Sequence, residues 1–108
     1  DGRMPHVGTA LWNTAVAGGA RALGYSDAGL SVGAPADIVR VDTDRAEFAG
    51  TQPDALVDAF IFAPRPGMIS DVWVGGEHVV EGGRHRARSA IEAAYRSSLA
   101  YLRAQGVA

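Results

Sequence analysis

Three histidines, twelve acidic residues and no cysteine bound the chemistry open to this 108-residue chain. Without a thiol there is no disulfide, no thiolate metal site and no cysteine nucleophile. His6, His78 and His85 stand apart, with no HxH pair and no HExxH helix, so the sequence does not spell the convergent ligand set that a metal requires. His78 beside a hairpin turn and His85 in an Arg-flanked loop read as solvent-exposed side chains. His6, in a loop after Pro5, reads as a surface or loop residue too, and it is the one histidine for which a place lining a cleft contributed by another domain stays open. A serine nucleophile needs a sharp elbow such as GxSxG, and none occurs. Ser89, with Glu92 three residues later, has instead the spacing of a helix capping box.

Paired carboxylates are the remaining route to acid–base work. Asp37, Asp42 and Asp44 bracket a short β-branched run and its turn, where aspartate commonly accepts backbone hydrogen bonds. The pairs Gly18-Gly19, Gly75-Gly76 and Gly82-Gly83 lack phosphate-loop spacing and read as packing and turn devices. Trp12 and Trp73 fall at periodic helix and strand positions, which predicts a core or interface role. No catalytic, cofactor-binding or metal-binding residue is therefore assigned to this chain.

The elements that must position these side chains follow from the pattern. A polar start over Asp1 to Pro5 precedes a helix over Thr9 to Leu23, with Leu11, Trp12, Ala15, Val16, Gly19 and Leu23 on one face and Gly24 as its stop. Gly18 and Gly19 cost helix propensity and predict close packing against another backbone. After a Gly- and Pro-containing loop, Asp37 to Asp42 reads as a strand. Thr43 to Gln52 reads as irregular. Pro53 opens a short helix carrying Leu56, Val57 and Phe60, which is expected to run into an extended Ile61-Phe62. Ile69 to Val74 and His78 to Val80, joined at Gly75-Gly76, form a β-hairpin. A closing helix carries Ile91, Ala94, Tyr95, Ser98, Leu99 and Leu102 on one face and ends near Gly106.

The apolar fraction of 47% and charged fraction of 20% describe a chain able to fold as one unit. A formal charge of -2, with the ten basic residues dispersed, gives no footprint for a phosphate backbone, so nucleic acid is not an expected partner. All ten are arginine, a bias that fits GC-rich coding. No apolar run approaches a membrane span, which points to a soluble, cytoplasmic protein. Asp1 in place of Met implies a chain that begins after a cut. Three or four short strands with two striped helices leave apolar surface uncovered, so a missing partner surface is expected.

Several stretches resemble the amidohydrolase superfamily in sequence and in order. Gly29 to Asp42, with Gly29, Gly33, Ala36, Asp37 and Asp42 at the marked positions, is similar to the G-x-x-x-G-x-x-A-D signature that leads the chain out of the catalytic barrel. Ala17 to Gly24 resembles the last barrel helix. Ile69 to Arg84, including Gly75 and Gly76, resembles the family's hairpin. Gly18-Gly19-Ala20, Asp54 to Asp58 leading to Phe60-Ile61-Phe62, and Asp71 to Gly76 look closest to the formimidoylglutamate deiminases, with guanine and cytosine aminohydrolases as neighbours.

The resemblance implies an α+β segment: a terminal barrel helix and lead-in over 1–28, part of a small β-rich domain over 29–85 and a C-terminal helix over 86–108. The segment would be incomplete without a (β/α)8 barrel of the same parent chain, itself expected to be a homo-oligomer. It further implies a parent that uses zinc or another divalent metal, held in the barrel and not by this segment, to release ammonia from formimidoylglutamate in histidine degradation. The segment alone would then be inactive. The competing reading is an independent α+β module that binds protein partners through its exposed apolar faces.

Overall fold

A computed structural model describes residues 6–107; the turn-rich start expected over Asp1 to Pro5 lies outside them. Helix α1 spans Val7–Ala22, strand β1 Ile38–Val41, helix α2 Leu56–Phe62, strand β2 Ile69–Val74, strand β3 Glu77–Glu81, strand β4 Arg84–His85 and helix α3 Arg88–Ala104. Short 3-10 turns at Ala46–Phe48 and Pro53–Ala55 punctuate the connection from β1 to α2. The architecture is α+β, with one antiparallel sheet in the order β1-β2-β3-β4.

Local chemistry explains most boundaries. Both long helices close on the same hydrogen-bond pattern. At α1, Gly24 N–H donates to Arg21 C=O at 3.1 Å and Tyr25 N–H to Ala20 C=O at 2.9 Å. At α3, Gly106 and Val107 repeat these bonds to Arg103 and Leu102 at 3.0 and 3.1 Å. The left-handed φ of 79° at Gly24 and 72° at Gly106 is what lets the chain turn back on the last carbonyls. Gly75 and Gly76, at φ of 56° and 82°, supply the two left-handed positions of the tight turn between β2 and β3.

Four expectations are corrected. Ile61-Phe62 is helical, because the break comes one residue later: Ala63 N–H still bonds Ala59 C=O at 3.0 Å, and Ala63 itself leaves helical geometry ahead of Pro64. Ser89 caps nothing. Helix α3 opens at Ala87, Arg84 donates to the Ser89 hydroxyl at 2.8 Å, and Glu92 is taken by Arg88 at 2.7 Å, so both halves of the capping box are otherwise engaged. His85 lies in β4 and not in a loop, since Gly82-Gly83 make a second tight turn that pairs Val80 with His85. Thr43 to Gln52 contains a 3-10 turn that buries Phe48.

Packing is sparse. Among the described residues, Phe48 and Met68, 4% and 3% exposed, are the only buried large apolar side chains, at the base of the loop joining β1 to β2. Helix α1 touches the remainder mainly through α2, and α3 makes no extended contact with any other element. The radius of gyration is 18.6 Å and the extents are 66 × 37 × 25 Å, whereas a compact chain of this length has a radius of about 13 Å. The exposed surface is 8230 Å², against about 5,700 Å² for a compact monomer of this mass. The surplus of roughly 2,500 Å² is the size of a substantial protein–protein interface. Among the described residues no helix is long and apolar enough to cross a membrane.

Candidate functional site

Helix α1 begins without help from its own sequence: His6 at its N-cap makes no side-chain cap, and its first turn holds no acid. The first N–H groups of a helix have no partner within it and must find one elsewhere. Here the partner comes from α2. Asp58 Oδ1 accepts the Gly8 N–H at 2.5 Å, and Asp58 Oδ2 accepts the His6 Nδ1–H at 2.6 Å. Asp54 Oδ2 lies 3.4 Å from the other ring nitrogen of His6. The approach is so close that a Cβ at Gly8 would stand 2.8 Å from Asp58 Cα. One turn further on, Trp12 meets Phe60 edge to face, with ring centroids 6.2 Å apart.

The charges answer each other. The hydrogen bond to Asp58 raises the pKa of His6 above its ordinary 6.5, opposed in part by burial and aided by the charges of Asp58 and Asp54. The same bond, with the Gly8 N–H, holds the Asp58 carboxyl below its usual range. The cluster does not fit a metal ion. The Asp58 oxygens are taken by the His6 Nδ1–H and the Gly8 N–H, which leaves His6 Nε2 and Asp54 and no converging set of three donors. Among the described residues no group of three or more His, Asp or Glu is arranged to hold one.

A second cluster crosses the sheet. Asp71 on β2, 6% exposed, lies 2.9 Å from His78 Nε2 on β3 and 3.3 Å from Arg40 Nη1 on β1. The Ser70 hydroxyl first, then His78 and Arg40, keep the Asp71 carboxyl below the usual range although burial opposes this. His78 is exposed, as expected, and its ring also stacks on Trp73 with centroids 4.5 Å apart.

The marked motif residues are brought together in part. Asp37 Oδ1 accepts the Gly75 N–H at 2.8 Å and Ala36 C=O accepts the Gly76 N–H at 2.9 Å, which ties the entry of β1 to the hairpin turn. Asp42 Oδ1 accepts the Asp44 N–H at 3.2 Å within its own turn. Gly29 and Gly33 stay apart from both, in the loop after α1, and Gly29 helps line an apolar groove between α1 and β1 with Trp12, Val16, Leu23, Tyr25 and Val39. His85 Nδ1 accepts the Ala87 N–H at 3.0 Å. Sequence reasoning missed Asp58 and Asp71 as hubs. The available signal was a lone carboxylate inside the apolar run Leu56 to Phe62, since an acid in such company requires a partner.

Set against known proteins, no family model matches the chain. It is 39% identical over 82 residues to the formimidoylglutamate deiminase of Pseudomonas aeruginosa, a match covering 76% of this chain and 18% of that protein. The crystal structure of an amidohydrolase from Brucella melitensis superposes with a TM-score of 0.78 at 39% identity, covering 94% of this chain and 22% of the other. By sequence and by fold, this chain matches a segment of an amidohydrolase. It spans about a fifth of the length of the amidohydrolases it matches.

Proposed function

We propose that this chain is the C-terminal segment of a metal-dependent deiminase that releases ammonia from formimidoylglutamate, as in histidine degradation. The observation that carries the reading is the 39% identity to a formimidoylglutamate deiminase over 82 residues, supported by the 0.78 TM-score to an amidohydrolase across 94% of the chain. Residues 1–28 would form the last barrel helix and its lead-in, 29–85 part of a small β-rich domain with its Gly29, Gly33, Ala36, Asp37, Asp42, Gly75 and Gly76 framework, and 86–108 a closing helix. The groove beside Trp12 and the unfilled surroundings of Gly18 and Gly19 then face a (β/α)8 barrel in the same parent chain. Zinc or a similar divalent ion in that barrel would activate water for attack on the amidine carbon. This segment would supply no ligand to it. The parent is taken to be cytoplasmic and a homo-oligomer.

The test is ammonia release from formimidoylglutamate by the full-length parent, with and without a chelator, beside the 108-residue segment alone. The expected result is chelator-sensitive turnover by the parent and none by the segment. A parent without such turnover, or a segment turning over at roughly 1 per second or more, refutes the reading.

A further inference from the structure

Helix α3 runs over Arg88–Ala104, 17 residues, without extended contact to any other element. A lone helix of that length is marginal in water, because helices in proteins are held mainly by the packing of one face. That face is bare in α3. Ile91, Tyr95 and Leu102 are 55%, 64% and 41% exposed, and Ser98 between them is exposed as well.

The spacing of the face defines the surface that covers it. Arg88, Ile91, Tyr95, Ser98, Leu102 and Gln105 follow one another at alternating intervals of three and four residues. Such alternation keeps a narrow seam turned towards one second helix lying nearly along the first. The residue types then select the helix. Laid antiparallel on a copy of itself, the seam sets Ile91 against the partner's Leu102, Tyr95 against the partner's Ser98 and Arg88 against the partner's Gln105. Each pair occurs twice, as an interface between two copies requires. The bulkiest ring meets the smallest seam residue, two branched aliphatic side chains meet, and no like charges oppose. Beside the seam, Tyr101, 66% exposed, comes over the partner's Ala94, again large over small. A parallel pairing loses all of this, since it opposes two copies of Arg88, two of Tyr95 and two of Ser98.

We propose that α3 is a self-association surface, pairing antiparallel with α3 of a second copy of this chain along the Ile91, Tyr95, Ser98 and Leu102 seam. The pairing covers the face that the chain itself leaves open. The seam is about 25 Å long, short for a stable interface. Association of the 108-residue chain is therefore expected in about the micromolar range.

The lack of cysteine gives a clean test. Arg88→Cys and Gln105→Cys are made in separate preparations of the chain and mixed in a glutathione buffer. Antiparallel pairing brings the two substituted positions within disulfide reach in the mixed dimer and keeps two copies of either one about 25 Å apart. The expected product is a disulfide between the two different chains, with little linkage in either preparation alone. The same link is expected in the full-length parent, mapped by peptide mass. Sedimentation of the unsubstituted chain between about 1 μM and 1 mM should show a monomer–dimer equilibrium. Leu102→Asp, which removes a buried leucine from both copies, should raise the dissociation constant by about a hundredfold or more. Val32→Asp, at a fully exposed apolar position outside α3, should leave it unchanged.

A chain that stays monomeric throughout, a dimer that survives Leu102→Asp, or a disulfide that forms in the Arg88→Cys preparation alone overturns the proposal. So does a full-length parent in which the mixed preparations give no link, because the parent's own barrel then covers the seam. None of these outcomes touches ammonia release, so the deiminase reading stands or falls separately.

Discussion

Gly8→Ala tests the joint between α1 and α2 at its tightest point. The added Cβ would lie 2.5 Å from Asp58 Oδ1, 2.8 Å from Asp58 Cα and 2.9 Å from Asp58 N. The carboxylate can rotate away, but the backbone atoms move only if α2 moves as a body. Forcing a methyl group into such a contact costs about 1–3 kcal/mol. The gain in helix propensity from Gly to Ala returns at most about 1 kcal/mol. The net expectation is destabilisation by up to about 2 kcal/mol, with the Asp58 bonds to His6 and Gly8 lengthened.

Gly18→Ala and Gly19→Ala reverse the sign in the segment by itself. A Cβ at either position meets nothing within 4 Å, so only propensity acts, and helix content rises with a gain of about 0.5–1 kcal/mol. Urea melts of the full-length protein measure Gly8→Ala, and far-ultraviolet circular dichroism of the segment measures the other two. A Gly8→Ala protein more stable than the unsubstituted one would refute the reasoning, because it would mean that α2 does not hold this approach. In the proposed parent protein, where a barrel would fill the open side, Gly19→Ala is expected to lose its advantage.

Two further outcomes follow from the same geometry. The Asp58 share of stability is complete above the ordinary carboxylate pKa of 3.8 and fades as pH falls through its lowered value; the His6 share is complete below 6.5 and fades as pH rises through its raised value. Urea midpoints across pH should therefore fall on both sides of this window, and both flanks should flatten in Asp58→Asn. Asp37→Ala, which removes the acceptor of the Gly75 N–H, should cost about 1 kcal/mol and speed amide exchange at Gly75 without changing exchange in α1.

Much of the fold was legible in local pattern. The helical course of α1, the glycine stops at Gly24 and Gly106 and the Gly75-Gly76 hairpin depend on residues within a few positions of one another, and propensity and period report such relations directly. The failures are also instructive. The Ser89-Glu92 spacing matched a capping box, yet Arg84 and Arg88 took both side chains, because a guanidinium within reach competes with the backbone. Gly82-Gly83 reads as a turn device and is one, but the two-residue strand β4 that it leads into is too short for the pattern to show.

The sequence by itself determined what this chain lacks and where its helices and main hairpin lie: no thiol, no spelled metal motif, and glycines at the turns that need left-handed backbone. Only the tertiary structure decided which carboxylates carry weight. Asp58 reaches His6 across 52 positions, and Asp71 gathers Arg40 and His78 from the two neighbouring strands. These pairings are set by the path of residues 42–68 and by sheet register. Both are long-range matters that hydrophobic period does not encode.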